Sequence, residues 1–169
     1  MENKRLYTIN IKRWKEPIIG IVEYSSLKWI VIKKITNDYM FDGFSLIQRC
    51  HVKSCKRTKD NKFAEKVLAA NGIMDMIIPR IPIENRLIPL KWLYCQQEVA
   101  EFWIVVEDTS FVGKVNGVKT IILHHTILNS RGKWLTDIYT LKIKDIVSID
   151  INTDYILSLL TYNQSRIWK

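Results

Sequence analysis

Residues 139–151, YTLKIKDIVSIDI, constrain the fold more than any other stretch of this chain. Apolar side chains stand at Leu141, Ile143, Ile146, Val147, Ile149 and Ile151. Successive residues of a strand face opposite sides, so one buried face demands alternation. Alternation holds here, slips once at Lys144–Asp145, and resumes. The pattern predicts a strand, a kink, and a second strand bending sharply away. A weaker copy runs over residues 43–56, GFSLIQRCHVKSCK, with Phe44, Leu46 and Val52 in comparable places. A chain carrying this element twice is expected to be mainly β and internally repeated.

The remaining segments fit that expectation. Leu6 to Trp14 alternates loosely and ends before Pro17. Ile18 to Tyr24 reads as a strand in which Gly20 marks a bulge or a close backbone approach. Ser25–Ser26 turns the chain. Leu27 to Ile35 is apolar on both faces at its centre, which predicts a central strand covered on both sides. Thr36-Asn37-Asp38 and Asp42–Gly43 carry turn chemistry. Asp60 to Gly72 predicts a helix, capped by Asp60, with Phe63, Val67 and Leu68 on one face and Gly72 closing it. In the second half, Phe102 to Val106 and Phe111 to Val115 read as strands. Asn116–Gly117 is a hairpin signal returning the chain through Val118 to Thr126, and Ser130-Arg131-Gly132 is a further turn. Asp154 to Asn163 predicts a closing helix that buries Ile156, Leu157, Leu159 and Leu160, capped by Asn152, Thr153 or Asp154.

Residues 73–100 differ in character. Pro79, Pro82 and Pro89 fall within eleven residues of an apolar segment, which forbids a continuous helix or a central strand. The segment is too apolar for a loose linker. It predicts an extended connector packed on both halves, with an edge strand at Leu90 to Cys95. The expected organisation is therefore residues 1–72 as a first unit, 73–100 as connector and 101–169 as a second unit.

Each unit reads strand, turn, strand, loop, strand-kink-strand, helix. Residues 19–22 match 112–115, 29–32 match 120–123, and 63–68 match 155–160 in pattern, though identity is low. With the Tyr139–Ile149 element and the Asp42-Gly43-Phe44 turn before the first kinked strand, the sequence resembles the Sm-like small barrels. It also resembles uncharacterised bacterial proteins with a tandem of such units. The resemblance implies two strongly bent five-stranded barrels, each trailed by a short helix, and carries no assigned activity. Sm-like RNA binders carry a Lys-His or Arg-Gly pair in the RNA-contacting turn. Here the turns read Lys144–Asp145 and Arg49-Cys50-His51, so the acidic Asp145 argues against RNA binding by the second half.

The net charge of +9 is concentrated in the first half. Residues 1–91 hold 18 Lys and Arg against nine Asp and Glu, and residues 92–169 hold eight against eight. Arg49, Lys53, Lys56, Arg57, Lys59 and Lys62 are the candidate phosphate-binding residues of a surface for RNA or single-stranded DNA. Trp14, Trp29, Tyr39 and Phe41 lie in the same half and supply stacking partners or, alternatively, core. An alternative is a protein–protein adaptor or immunity-type protein using the connector or a strand edge. A third reading is an enzyme with an unfamiliar site in the cleft between the halves. No nucleophile–base pair or Gly-rich phosphate loop stands out, so the expectation is a non-enzymatic protein without cofactor. Cys50, His51 and Cys55 lack paired metal-ligand spacing, and adjacent His124 and His125 point to opposite faces of a strand, so no metal site is expected. Three cysteines, an N-terminus with no apolar signal region and no run of about 18 apolar residues predict a reducing, cytoplasmic setting without a membrane span.

Overall fold

The computed structural model describes residues 1–106 and 109–167 of this mainly β chain. Five strands come from the first half: β1 (Arg5–Ile11), β2 (Ile18–Ser25), β3 (Trp29–Ile35), β4 (Phe41–Gln48) and β5 (Val52–Lys56). Helix α1 (Lys59–Ala70) follows, then α2 (Ile88–Gln96). The second half supplies β6 (Val99–Ile104), β7 (Ser110–Val118), β8 (Ile122–Leu128), β9 (Trp134–Lys142) and β10 (Ile146–Ile151), and α3 (Asp154–Ile167) closes the chain. The ten strands form one antiparallel sheet in the order β5-β1-β2-β3-β4-β10-β6-β7-β8-β9. Within each half the order is therefore the same: fifth strand, then first to fourth. The sheet is open, with β5 and β9 at its ends.

Both kinked elements form. A single 3-10 turn, Arg49–His51, joins β4 to β5, and its counterpart, Ile143–Asp145, joins β9 to β10. The halves meet where β4 pairs with β10, with Leu46 opposite Ile149 and Ser45 opposite Asp150. Gln48 reinforces this joint by donating from Nε2 to Ile143 O at 2.9 Å and Ile146 O at 2.8 Å. The two halves thus share backbone hydrogen bonds rather than meeting only through the connector.

The largest apolar cluster spans this joint. Val31 and Leu46 of the first half pack with Phe102, Ile149 and Ile151 of the second. The connector covers that face through Ile81, Ile83, Leu90 and Leu93. Tyr24 Oη accepts from Ile81 N–H at 2.7 Å, and Trp29 Nε1 donates to Asn85 O at 3.2 Å, which fixes the connector to β2 and β3. The opposite face of β1, β2, β3 and β4 encloses a second cluster with Ile9, Val22, Ile30 and Ile47. Helix α1 seats Ala64 and Leu68 against Leu6 and Ile21, and α3 seats Ile156 and Leu159 against Val99 and Val112.

Several local expectations are corrected. Leu90 to Cys95 lies in α2 rather than an edge strand, because Pro89 occupies the first helical turn, where no backbone donor is missed. Asn116–Gly117 lies inside β7 at a register shift, and the turn falls later, closed by Lys119 N donating to Ile122 O. Asp42–Gly43 is likewise internal to β4, where Gly43 has φ +72° beside a register shift. The cap of α1 is Thr58, which exchanges hydrogen bonds with Asn61, so the helix starts one residue before the expected Asp60 cap. Phe63, expected on one helix face with Val67 and Leu68, and Leu157, expected to be buried, are exposed. Thr153 Oγ1 accepts from Ile156 N–H at the start of α3, and Asp42 Oδ1 accepts from Asp154 N–H.

Candidate functional site: a basic strand edge and a crevice at the joint

The six cations singled out in the sequence divide into two groups. Arg49 turns inward, its Nε donating to Ser26 O at 2.6 Å and its Nη2 to Ser25 Oγ at 2.9 Å. Arg57 grips Glu65 through Nε at 3.0 Å and Nη2 at 2.6 Å. That fork holds the Glu65 carboxyl below its ordinary value against the opposing effect of burial, while Leu6 N–H donates to the same carboxylate at 2.9 Å. Both arginines therefore act as internal ties. Lys53 and Lys56 on β5, and Lys59 and Lys62 in the first turn of α1, are exposed. None of the four makes an ion pair among the described residues. Lys59, Lys62 and Lys66 recur at three- and four-residue spacing, which places them along one side of α1. Trp29 is fully buried in the main cluster, so it is core rather than a stacking platform.

A second feature was not singled out as a site from the sequence. On β10 and β6, the face opposite the main cluster turns polar. Ile149, Ile151 and Phe102 point into that cluster, so Ser148, Asp150, Glu101 and Trp103 point away from it. Register places Asp150 between Ser45 of β4 and Glu101 of β6, and Trp103 opposite Ser110 of β7. The result is a buried polar seam crossing the joint. Lys34 reaches it from β3, with Nζ 2.7 Å from Asp150 Oδ2 and 3.6 Å from Asp42 Oδ2. Burial works to lower the Lys34 ammonium, but Asp150 and then Asp42 outweigh it and leave it raised. Burial pushes the Glu101 carboxyl up. The hydrogen bond donated by Ser110 Oγ at 2.6 Å offsets part of that, and the charge of Asp150 adds to it. Trp103 Nε1 lies near enough to lower Glu101 slightly yet outside hydrogen-bond geometry.

The seam opens into a crevice of about 160 Å³ walled by Trp14, Pro17, Ile18, Lys34, Trp103 and Asp150, with Glu16 and Ser148. Trp14 comes from the loop between β1 and β2, which Lys12 pins down by donating to His51 O and Cys50 O. The indoles of Trp14 and Trp103 meet edge-on, with centroids 5.9 Å apart and planes at 64°. Each half thus contributes one indole and one member of the Lys34–Asp150 pair. A sequence signal existed. In IVSIDI, Ser148 and Asp150 recur at a spacing of two within a strand that is buried throughout.

The remaining candidates have structural explanations. His51 Nε2 lies 2.9 Å from Lys144 O, bridging the two 3-10 turns. His125 is buried among the rings of Phe102, Phe111 and Tyr139, while His124 is half-buried. Among the described residues there is no cluster of three His, Cys, Asp or Glu side chains arranged to hold a metal ion, and no helix long and apolar enough to cross a membrane. The chain matches no protein-family model, no curated protein and no solved structure.

Proposed function

We propose that this chain is a non-enzymatic, cytoplasmic binding module of two tandem Sm-like units, whose basic first half holds RNA or single-stranded DNA. The repeated strand order, with a 3-10 turn between the fourth and fifth strands of each half, supports the Sm-like reading. The observation that carries the binding role is the exposure of Lys53, Lys56, Lys59 and Lys62 along β5 and the start of α1, with no carboxylate engaging them among the described residues. Unpaired lysines at a sheet edge offer point charges to a phosphate backbone, and counterion release makes such binding salt-dependent.

Fluorescence anisotropy with short labelled single strands at two salt concentrations tests this. Micromolar binding that weakens steeply with salt is expected. The triple variant Lys53→Glu, Lys56→Glu, Lys62→Glu should weaken binding and lower the salt slope by about 2, at roughly 0.7 for each phosphate no longer neutralised. Affinity and slope equal to those of the native chain would refute the assignment. Arg57 is left intact in this test because its loss would free the buried Glu65.

The second reading is a protein adaptor, favoured by β9. This nine-residue end strand exposes Ile138 at 62% and Tyr139 at 36%. Long end strands with exposed apolar side chains invite strand addition. A partner retained from nuclease-treated lysate by the native chain and lost with Ile138→Lys would establish it; retention unaffected by that change would reject the β9 surface.

A further inference from the structure

Residues 92–169 carry no net charge, yet they help build a positively charged groove that neither reading uses. The groove has a volume of about 470 Å³ and is walled by Arg86, Lys142, Lys144, Ile121, Ile122 and Ile143, with Thr120. Three separate segments form it. Arg86 comes from the connector just before α2, Ile121 and Ile122 from the start of β8, and Lys142 to Lys144 from the end of β9 and the 3-10 turn that follows. Strand pairing fixes the floor: Ile122 lies opposite Lys142, and Ile143 N donates to Ile121 O at 3.0 Å. Contacts between the turns fix the wall. His51 Nε2 lies 2.9 Å from Lys144 O, and Arg86 Nη2 lies 4.0 Å from Cys50 Sγ.

The charges select an anion. Arg86, Lys142 and Lys144 form no ion pair among the described residues, and no carboxylate lines the groove. Asp145 follows Lys144 in sequence but is not one of the walls. Like charges gathered without a counter-ion repel one another, and an acidic group placed among them replaces that repulsion with attraction. The same field reaches His51. Burial is the largest influence lowering its pKa, and the contact with Lys144 O opposes it; Lys12 and Arg86 then add to the lowering, each ahead of the opposing Asp145. The apolar walls select the rest of the ligand. Ile121 is 69% exposed, so covering it with an apolar group is favourable. A bare inorganic ion would leave Ile121 and Ile122 wet, and a neutral apolar molecule would leave the cations without a counter-charge. The volume falls within the roughly 300–1,000 Å³ of small-molecule sites.

We propose that this groove binds a small amphiphilic acid, a carboxylate or phosphate head on an apolar body, with the head among Arg86, Lys142 and Lys144 and the body against Ile121 and Ile122. The same chemistry is offered by a fatty acid and by an alkyl phosphate. Thr120 adds a hydroxyl to the same wall.

Calorimetric titration of the full chain with octanoate, octyl phosphate, octanol and inorganic phosphate tests this. Octanol carries the chain without the charge, and inorganic phosphate the charge without the chain. The better of the two acids should bind about tenfold or more tightly than either control, equivalent to about 1.4 kcal/mol, and which acid that is identifies the head group. Lys142→Gln combined with Lys144→Gln should weaken that acid about tenfold. Ile121→Ser should weaken it as well. All three positions are exposed, so these changes are expected to leave the melting temperature unchanged. Equal affinity for the acids and octanol overturns the proposal, as does absence of binding by either acid at millimolar concentration. Undiminished acid binding by the double lysine variant also overturns it. Loss of oligonucleotide affinity in that variant, with neither acid bound by the native chain, rejects the groove as a small-molecule site and assigns its cations to a nucleic-acid path. The triple lysine variant keeps the two proposals separable, because it should lose oligonucleotide affinity and retain the acid.

Discussion

Gln48 shows how much one side chain can contribute at the joint. It is buried, and its amide nitrogen serves two carbonyls of the opposite half, Ile143 O and Ile146 O. Gln48→Leu keeps the bulk and removes both donors, leaving buried acceptors with a desolvation cost. A loss of roughly 1–3 kcal/mol is expected, read as a lower urea midpoint with unchanged slope. His125 makes a different prediction. Burial lowers its pKa from the ordinary 6.5, so the folded chain holds it neutral while the unfolded chain takes up a proton near 6.5. The unfolded state then binds more protons, and stability falls as pH drops below 6.5 until the folded value is passed. His51, also lowered by burial, acts in the same direction. His125→Phe, entering a ring-lined site, should therefore reduce but not abolish the loss of stability as pH falls below 6.5 in thermal melts. The Glu65 contribution is separable. Its carboxyl is lowered from the ordinary 4.5, so its stabilisation is present above 4.5 and is lost as pH falls further, through the folded value.

At the scale of elements, the two glycines inside the second strand of each half make the repeat physical. A Cβ on Gly20 would sit 2.5 Å from Ile32 Cδ1 and 2.6 Å from Lys33 O of β3, and one on Gly113 would run into Thr126 O of β8. In each half the second strand presses its backbone onto the third. Gly20→Ala and Gly113→Ala should each cost roughly 1–3 kcal/mol by forcing the strands apart, measurable as separate drops in melting temperature. An unaffected melting temperature for either would remove that close approach from the account. The close approach at Gly20 was legible as a glycine within an apolar run, as were the strand–turn–strand elements and α3. The misread signals were of two kinds. Asn116–Gly117 and Asp42–Gly43 have hairpin chemistry, but neighbouring strands long enough to continue pairing absorb each as a register shift. Pro89 looked like a breaker and became a helix start, because Leu90 and Leu93 gain burial against the joint only when wound at helical spacing.

For the whole molecule, continuity of the sheet is the governing fact. The β4–β10 ladder and the cluster beneath it belong to neither half alone. Residues 1–72 expressed separately should expose the β4 edge together with Val31 and Leu46, and residues 73–169 should expose β10. Each piece is expected to aggregate or to lack a cooperative melt, and co-expression should restore one soluble, cooperatively melting species. Two independently folded, monomeric pieces would contradict this dependence. The crevice depends on the same joint, since its indoles and its Lys34–Asp150 pair come from opposite halves.

Local periods were written into the chain itself: alternation with one slip in two places, a buried central third strand, helices α1 and α3, and the bias of positive charge to the first half. These follow from neighbours a few residues apart. Which cations stay free was settled only by folding, since the inward turn of Arg49 and the Glu65 fork on Arg57 depend on residues 8 to 24 positions away. Folding also settled that β4 pairs with β10, and so that Trp14 meets Trp103 and Lys34 meets Asp150 across 116 positions. Such partners leave no periodic trace in either segment, because the hydrogen bonds and register that align them form only when the two halves are folded against each other.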